Sequence, residues 1–410
     1  MVPTDAAAQE NNGPNEVRRV FIDCADMWCD ESFIRAELTF VNFVRDRKEA
    51  DVHALITAQG TGGGGREYTV ALIGLGRFAG IDHRLVYLST NSDTDDSIRR
   101  GIARVLRLGL VHYVVDSAFG SQLDVVHRRA EGVESASKGA RDPWNSWVFR
   151  ASLRGSGSGE ESRRSTYVSG SLSANRVTEH WKVNNSVGGN YSHARYTFTE
   201  GDIYTSISKA WSASSLVVKS IGPHWSAGAR ASVSSSTFVN QDIAVRLAPA
   251  VEYNIYPYKD STRRQLTINY ALGLNAYDYR EVTIFEKMRE GKLDETLTVS
   301  WDLRQPWGTT STTFQASHYL PGLRRHRLVV FTEADVRLFK GFSLFGYGSV
   351  SRIRNQLYLP KGEATPEEVL VRQRQLATSY QYSLSIGFSY SFGSIFNNVV
   401  NSRFHESGIY

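Results

Sequence analysis

At 410 residues the chain is long enough for two domains. Its 47 Lys and Arg against 42 Asp and Glu leave a net charge of +5, spread along the sequence, which does not mark a nucleic-acid binder. No stretch approaches the ~18 apolar residues of a helical span, so helical membrane crossing is excluded; a β-barrel is not, because its lumen-facing positions are polar.

Residues 1–16 are polar and are expected to be disordered. Met1 is not followed by the basic and apolar segments of a secretory leader. Ala6, Ala7 and Ala8 read as the remnant of a cleavage region whose leader lies upstream. Residues 17–115 mix strand and helix patterns and read as a small α+β domain with its own core. Val17 to Asp23 predicts a strand, and Glu31 to Arg47 a helix with Asp30 as N-cap. Val52 to Gln59 and Glu67 to Leu75 predict two strands around a glycine tract, and Leu85 to Ser89 a third. Thr94 to His112 predicts a second helix, with Ile98, Ile102, Val105 and Leu106 on one face. Arg99, Arg100, Arg104 and Arg107 lie elsewhere on that helix, as a solvated face or as a partner surface.

Cys24 and Cys29 sit between the first strand and the first helix. In an oxidising compartment they could pair; the alternative is two reduced thiols in a small core. No second Cys or His pair accompanies them, so neither a metal nor a cofactor is expected. The tract Gly60 to Gly65 lacks the Lys-Ser or Lys-Thr and the following helix of a phosphate loop, and reads as a hairpin loop. Gly74, Gly76 and Gly80 likewise lack a dinucleotide context. Residues 116–144 read as a linker.

From 145 to 392 the texture changes to period two. In Tyr380 to Phe392 every even position is large and apolar, and every odd one is Gln, Ser or Gly. The alternation recurs in runs near 146–155, 165–175, 178–192, 202–219, 224–237, 240–257, 263–280, 293–305, 308–319, 324–338, 341–358 and 378–392, which predicts a twelve-stranded antiparallel transmembrane β-barrel. The links between them tend to alternate, short at 176–177, 220–223, 258–262, 306–307 and 339–340 and longer at 156–164, 193–201, 281–292 and 359–377. An even strand count returns both ends to one side. A soluble β-sandwich is the rival, disfavoured by the run lengths, by Trp residues at strand ends and by a polar face rich in Ser rather than Lys and Glu. Lys209 is a misfit, sharing the apolar parity of Ile207 and Trp211; a bulge or a register error would explain it.

On this strand texture, and on the aromatic closing strand that ends at Phe392, the chain resembles Gram-negative outer-membrane β-barrel proteins with a periplasmic N-terminal domain. The N-terminal domain is similar in pattern to periplasmic partner-binding α/β domains of envelope machines. The resemblance covers 145–392 and its motifs are architectural. It implies outer-membrane location, contact with outer-membrane lipid, and a periplasmic or outer-membrane protein partner bound through residues 17–115. The chain departs from that pattern by continuing past the closing strand, and this tail, 393–410, is expected on the periplasmic side, returning to the barrel mouth or to the N-terminal domain. The implied role is a scaffold or assembly component with a small pore as an added property; the alternatives are a passive diffusion channel and an outer-membrane hydrolase.

For catalysis the candidates are His224 and Ser226, a base–nucleophile pair in three letters whose place at a short link argues against lipid chemistry. His193 and His318 lack partners in the pattern. Asp242, Arg246, Glu252, Asp302, Arg304, Arg327, Glu333, Asp335 and Arg337 fall on inward parity and are expected to pair across a mostly occluded lumen.

Overall fold

The computed structural model describes residues 17–24, 29–117, 119–122, 142–197, 203–362, 365–366, 368 and 374–394. The segment 1–16, most of the linker and the tail beyond 394 lie outside the described residues.

The first domain is a five-stranded sheet in the order β2-β1-β3-β4-β5. Strand β1 (Arg19–Cys24) runs parallel to β2 (Asn42–Phe43) and to β3 (Val52–Gly60), and β4 (Arg66–Gly74) and β5 (Asp82–Ser89) continue antiparallel. Val20, Ile22, Ala54, Ile56, Val70 and Leu72 form one face, packed on Ile34 of helix α1 (Glu31–Glu37) and on Ile102, Leu106 and Leu110 of helix α2 (Asp95–Val114). Helix α2 starts at Thr94, whose hydroxyl accepts from Ser97 N, and Tyr113 near its end donates its buried hydroxyl to the Ile81 and Leu72 carbonyls.

The first helix departs from the expectation. Asp30 is its N-cap, accepting from Phe33 N, but the helix stops at Glu37 rather than near Arg47. The residues that follow, Val41 to Val44, are β-branched or aromatic apart from Asn42. Asn42 N and Val44 N bond to Arg18 O and Val20 O at the edge of β1. A sheet edge that offers unpaired carbonyls outweighs a modest helical preference.

The second domain is a meander of twelve antiparallel strands, each paired with its sequence neighbours. They are β6 (Trp147–Gly159), β7 (Arg163–Val177), β8 (Trp181–Thr197), β9 (Ile203–Ser220), β10 (Trp225–Ser236), β11 (Gln241–Asn254), β12 (Arg264–Tyr279), β13 (Arg289–Gln305), β14 (Gly308–Leu320), β15 (His326–Phe339), β16 (Phe342–Ile353) and β17 (Tyr380–Tyr390). Every run of alternating residues carries a strand, and the fold is that of an outer-membrane-type barrel preceded by a small α+β domain. Among the described residues β6 and β17 each pair on one side only. No helix among the described residues is long and apolar enough to cross a membrane.

Alternation sets the two faces. Ile243, Val245, Leu247 and Val251 of β11 are exposed outward, as are Leu272, Leu274 and Trp301, while the residues between them point inward. Lys209 sits in an unbroken register, so neither a bulge nor a slip explains it. Its backbone bonds to Thr237 beside the β10–β11 turn, and its ammonium lies 5.7 Å from the Tyr191 ring. A lysine at the end of a wall reaches water with its tip and lays its stem on apolar surface. The links alternate less cleanly than expected: β6 and β7 extend until only 160–162 joins them, and 255–263 is long on the opposite end.

Candidate functional site

The two domains meet at one end of the barrel. The face of the small sheet opposite the helices carries Phe21 and Asp23 on β1, His53 on β3 and Arg84 on β5. Asp23 accepts two hydrogen bonds from Arg337 at the end of β15, both 2.7 Å, in the bidentate geometry that suits a guanidinium and a carboxylate. His53 Nε2 donates to the same carboxylate at 3.1 Å. The Phe21 ring closes the cluster, with the Arg337 guanidinium 5.4 Å from its centroid and the His53 ring at 5.2 Å. Asp23 and His53 are buried.

Burial by itself would raise the Asp23 carboxyl, but the His53 hydrogen bond and the charge and hydrogen bonds of Arg337 outweigh it, so Asp23 titrates below its ordinary range. Burial lowers the His53 imidazole, and the opposing pull of Asp23 does not restore it. Among the described residues its Nδ1 has no hydrogen-bond partner, so the proton of a charged ring would meet no acceptor from them. The cluster therefore holds a neutral His53, an ionised Asp23 and Arg337.

Contacts around this latch follow the rim. Lys340 pairs with Glu49, and Gly341 N donates to Asp46, at the β15–β16 turn. Arg84 donates to Thr262 between β11 and β12 at 3.2 Å. Arg150, inward on β6, donates to Asn91 at 2.7 Å and to Gly64 O at 3.3 Å. Arg45 donates to Gly393 O, just past β17. A Cβ on Gly62 would stand 2.5 Å from Val177 Cβ, so the glycine loop packs against the β7 end because it has no side chain there. The small domain thus touches strands or links from β6 to β17 and lies over the mouth.

Cys24 and Cys29 form a disulfide with Cα atoms 6.3 Å apart, directly beside Asp23. Arg99 pairs with Asp30 and Asp96, Arg100 with Asp96, and Arg107 with Glu37. Three of the four helix arginines thus have carboxylate partners within their own domain. Arg104 is exposed.

Inside the barrel, Arg246 holds Asp294 by two bonds of 3.0 and 2.7 Å, and Asn275 donates to the same carboxylate at 2.6 Å. Gly273 makes the pair possible, since a Cβ there would lie 2.2 Å from an Asp294 oxygen and 2.7 Å from Arg246 Nη2. Glu252 accepts from Tyr258 and Asn269, and Asp302 from Ser311. Arg304, Arg327, Glu333 and Asp335 face inward by register, opposite Thr309, Ser317, Ser311 and Thr309. Two expected lumen charges are elsewhere: Asp242 stands in a bulge at the far rim, near Arg280, and Arg337 points out of the barrel into the small domain. A bulge flips parity, and a strand end projects beyond the wall, so alternation alone misplaces both. The sequence does not single out Asp294, Asp23 and His53, nor Tyr277 and Tyr319, whose hydroxyls lie 2.9 Å apart in the lumen. The inward parity of Asp294 and Tyr277 was legible, but the cross-domain pairing of Asp23 left no local signal.

His224 and Ser226 do not form a base–nucleophile pair. His224 Nδ1 bonds to Asn254 O at 2.7 Å, while Ser226 donates to Tyr258, which donates to Glu252. His318 does have a partner, Glu295 at 3.8 Å, on the outward face.

No protein-family model and no curated protein matches the chain. Among solved structures, the translocator domain of the autotransporter NalP from Neisseria meningitidis aligns at 13% identity and a TM-score of 0.20, covering 60% of this chain and 82% of that one. The β domain of the Bordetella autotransporter BrkA aligns at 12% identity and a TM-score of 0.24, covering 60% and 98%. At such scores the fold rests on the twelve strands themselves.

Proposed function

We propose that the chain is an outer-membrane barrel that carries its α+β domain on the periplasmic side, seated on the mouth, and serves as an anchored platform for an envelope complex rather than as a freely open pore. The observation that carries this is the latch of Arg337 on Asp23 and His53, which ties the small domain over the lumen. The outward belt of Ile, Leu, Val, Tyr and Trp is the surface hydrocarbon would cover, and both chain ends of the barrel lie on the domain side. Helix α2 faces away from the barrel and offers Arg100, Arg104 and Leu108 to a protein partner.

The test is planar-bilayer recording of the purified protein. The intact chain is expected to be silent or to flicker, and Arg337→Ala to give sustained conductance. Stable large conductance of the unaltered chain would overturn the capped reading in favour of a diffusion channel. Recovery of the protein from cells in buffer without detergent would overturn the membrane reading itself.

A further inference from the structure

The lumen wall has one level built from small side chains. Gly228, Ala250 and Ala271 lie side by side on β10, β11 and β12. On the next inward level toward the domain, Ser226, Glu252, Asn269, Thr298 and Gln315 follow one another across five strands. On the opposite side of that floor, away from the domain, Arg230 stands opposite Ala248. The missing bulk leaves a cavity of about 810 Å³ that these residues line together. That lies within the ~300–1,000 Å³ range of small-molecule sites, where an apolar floor is flanked by a few polar groups.

Glu179, Lys182, Arg230, Arg246 and Glu252 line it, and these charges are not equivalent. Arg246 is already committed to Asp294. Both Glu252 oxygens accept hydrogen bonds from neutral groups, Tyr258 and Asn269. Arg230 has no carboxylate partner among the described residues, and it lines the cavity. A planar fork of donors without an acceptor favours an anion that can take two bonds at once. Across the floor from it, Asn269, Thr298 and Gln315 line the same cavity and supply donors and acceptors suited to hydroxyl groups.

We propose that this cavity binds a small hydroxylated anion of the sugar-phosphate class, with the anionic group on Arg230 and the hydroxyls on the Asn269–Gln315 row. The site goes beyond the platform reading and is independent of the latch, so its failure leaves the conductance test untouched, and the reverse holds as well.

The test is titration calorimetry of the detergent-solubilised full chain with glucose 6-phosphate, beside glucose and inorganic sulfate. Glucose 6-phosphate is expected to bind and glucose not to bind. Arg230→Gln is expected to weaken binding at least tenfold, and Arg230→Lys to weaken it less. Ala250→Leu, which fills the floor and leaves every charge in place, is expected to remove binding. Unchanged circular dichroism and thermal unfolding of each variant control for folding. Absence of heat with glucose 6-phosphate, undiminished binding by Arg230→Gln, or sulfate binding that Ala250→Leu does not alter (an adventitious ion only) would each overturn the site.

Discussion

Arg337 and Gly273 are the residues at which a single change tells most. Arg337→Ala leaves the Asp23 carboxylate buried without its cation, a situation that typically costs about 3–5 kcal/mol. The expected readout is faster proteolysis of the small domain with the barrel still folded. Gly273→Ala forces a methyl into the Arg246–Asp294 pair, and overpacking of this kind costs about 1–3 kcal/mol. A lowered thermal midpoint of the barrel, with the small domain unaffected, is the expected outcome.

His53 adds a pH dependence whose sign follows from its lowered titration. The folded state prefers the neutral ring, so its contribution is fully present above the unfolded value near ~6.5 and is lost as pH falls below it. Asp23 acts in the same direction at lower pH: its lowered carboxyl contributes above its unfolded value near ~3.9 and loses that contribution as pH falls through the folded one. Docking is therefore expected to loosen in steps on acidification. His53→Gln, which keeps a donor and does not titrate, should flatten the first step in a proteolysis-versus-pH series.

At the scale of elements, the disulfide and the short first helix belong together. Cys24–Cys29 closes a loop between β1 and α1, next to the latch carboxylate. A loop this short gains about 2 kcal/mol by the chain-entropy account. Reduction, or Cys29→Ser, is expected to lower the unfolding free energy of the small domain by about that amount and to raise hydrogen exchange in β1 and α1. The strands were legible because period two is a local property that two different surroundings impose on every residue. The helix end was not, because the carbonyls that draw Asn42 and Val44 into the sheet come from β1, more than twenty residues earlier in the chain. For the same reason the bulge at Asp242 escaped notice: it depends on how β11 meets β12 and not on its own residues.

At the scale of the molecule, the free edges of β6 and β17 carry a consequence. In hydrocarbon each unpaired backbone group costs several kcal/mol, so the two edges are expected to pair with each other in a bilayer. Tyr382 and Leu384 of β17 are 71% and 67% exposed, above the outward residues of β11 to β13. The outward positions of the far half of β6 are Gly155, Gly157 and Gly159, over which those aromatic and aliphatic groups could lie. Disulfide trapping between cysteines scanned along the inward positions of β6 and β17, such as Ser152 and Ser385, should give high yield in membranes at one register. Absence of any trapped pair would mean that another strand occupies the seam.

The sequence by itself determined the twelve strands, the face that residues inside unbroken strands take and the presence of a second, mixed domain ahead of them, because alternation and helical periodicity are written in neighbouring residues. Only the tertiary structure decided that Arg337 leaves the lumen to hold Asp23, that His53 is buried beside it, and that the small domain lies over the mouth. Those outcomes depend on pairs as far apart as 314 positions for Asp23 and Arg337 and 348 for Arg45 and Gly393, and no local pattern encodes a partner at that distance.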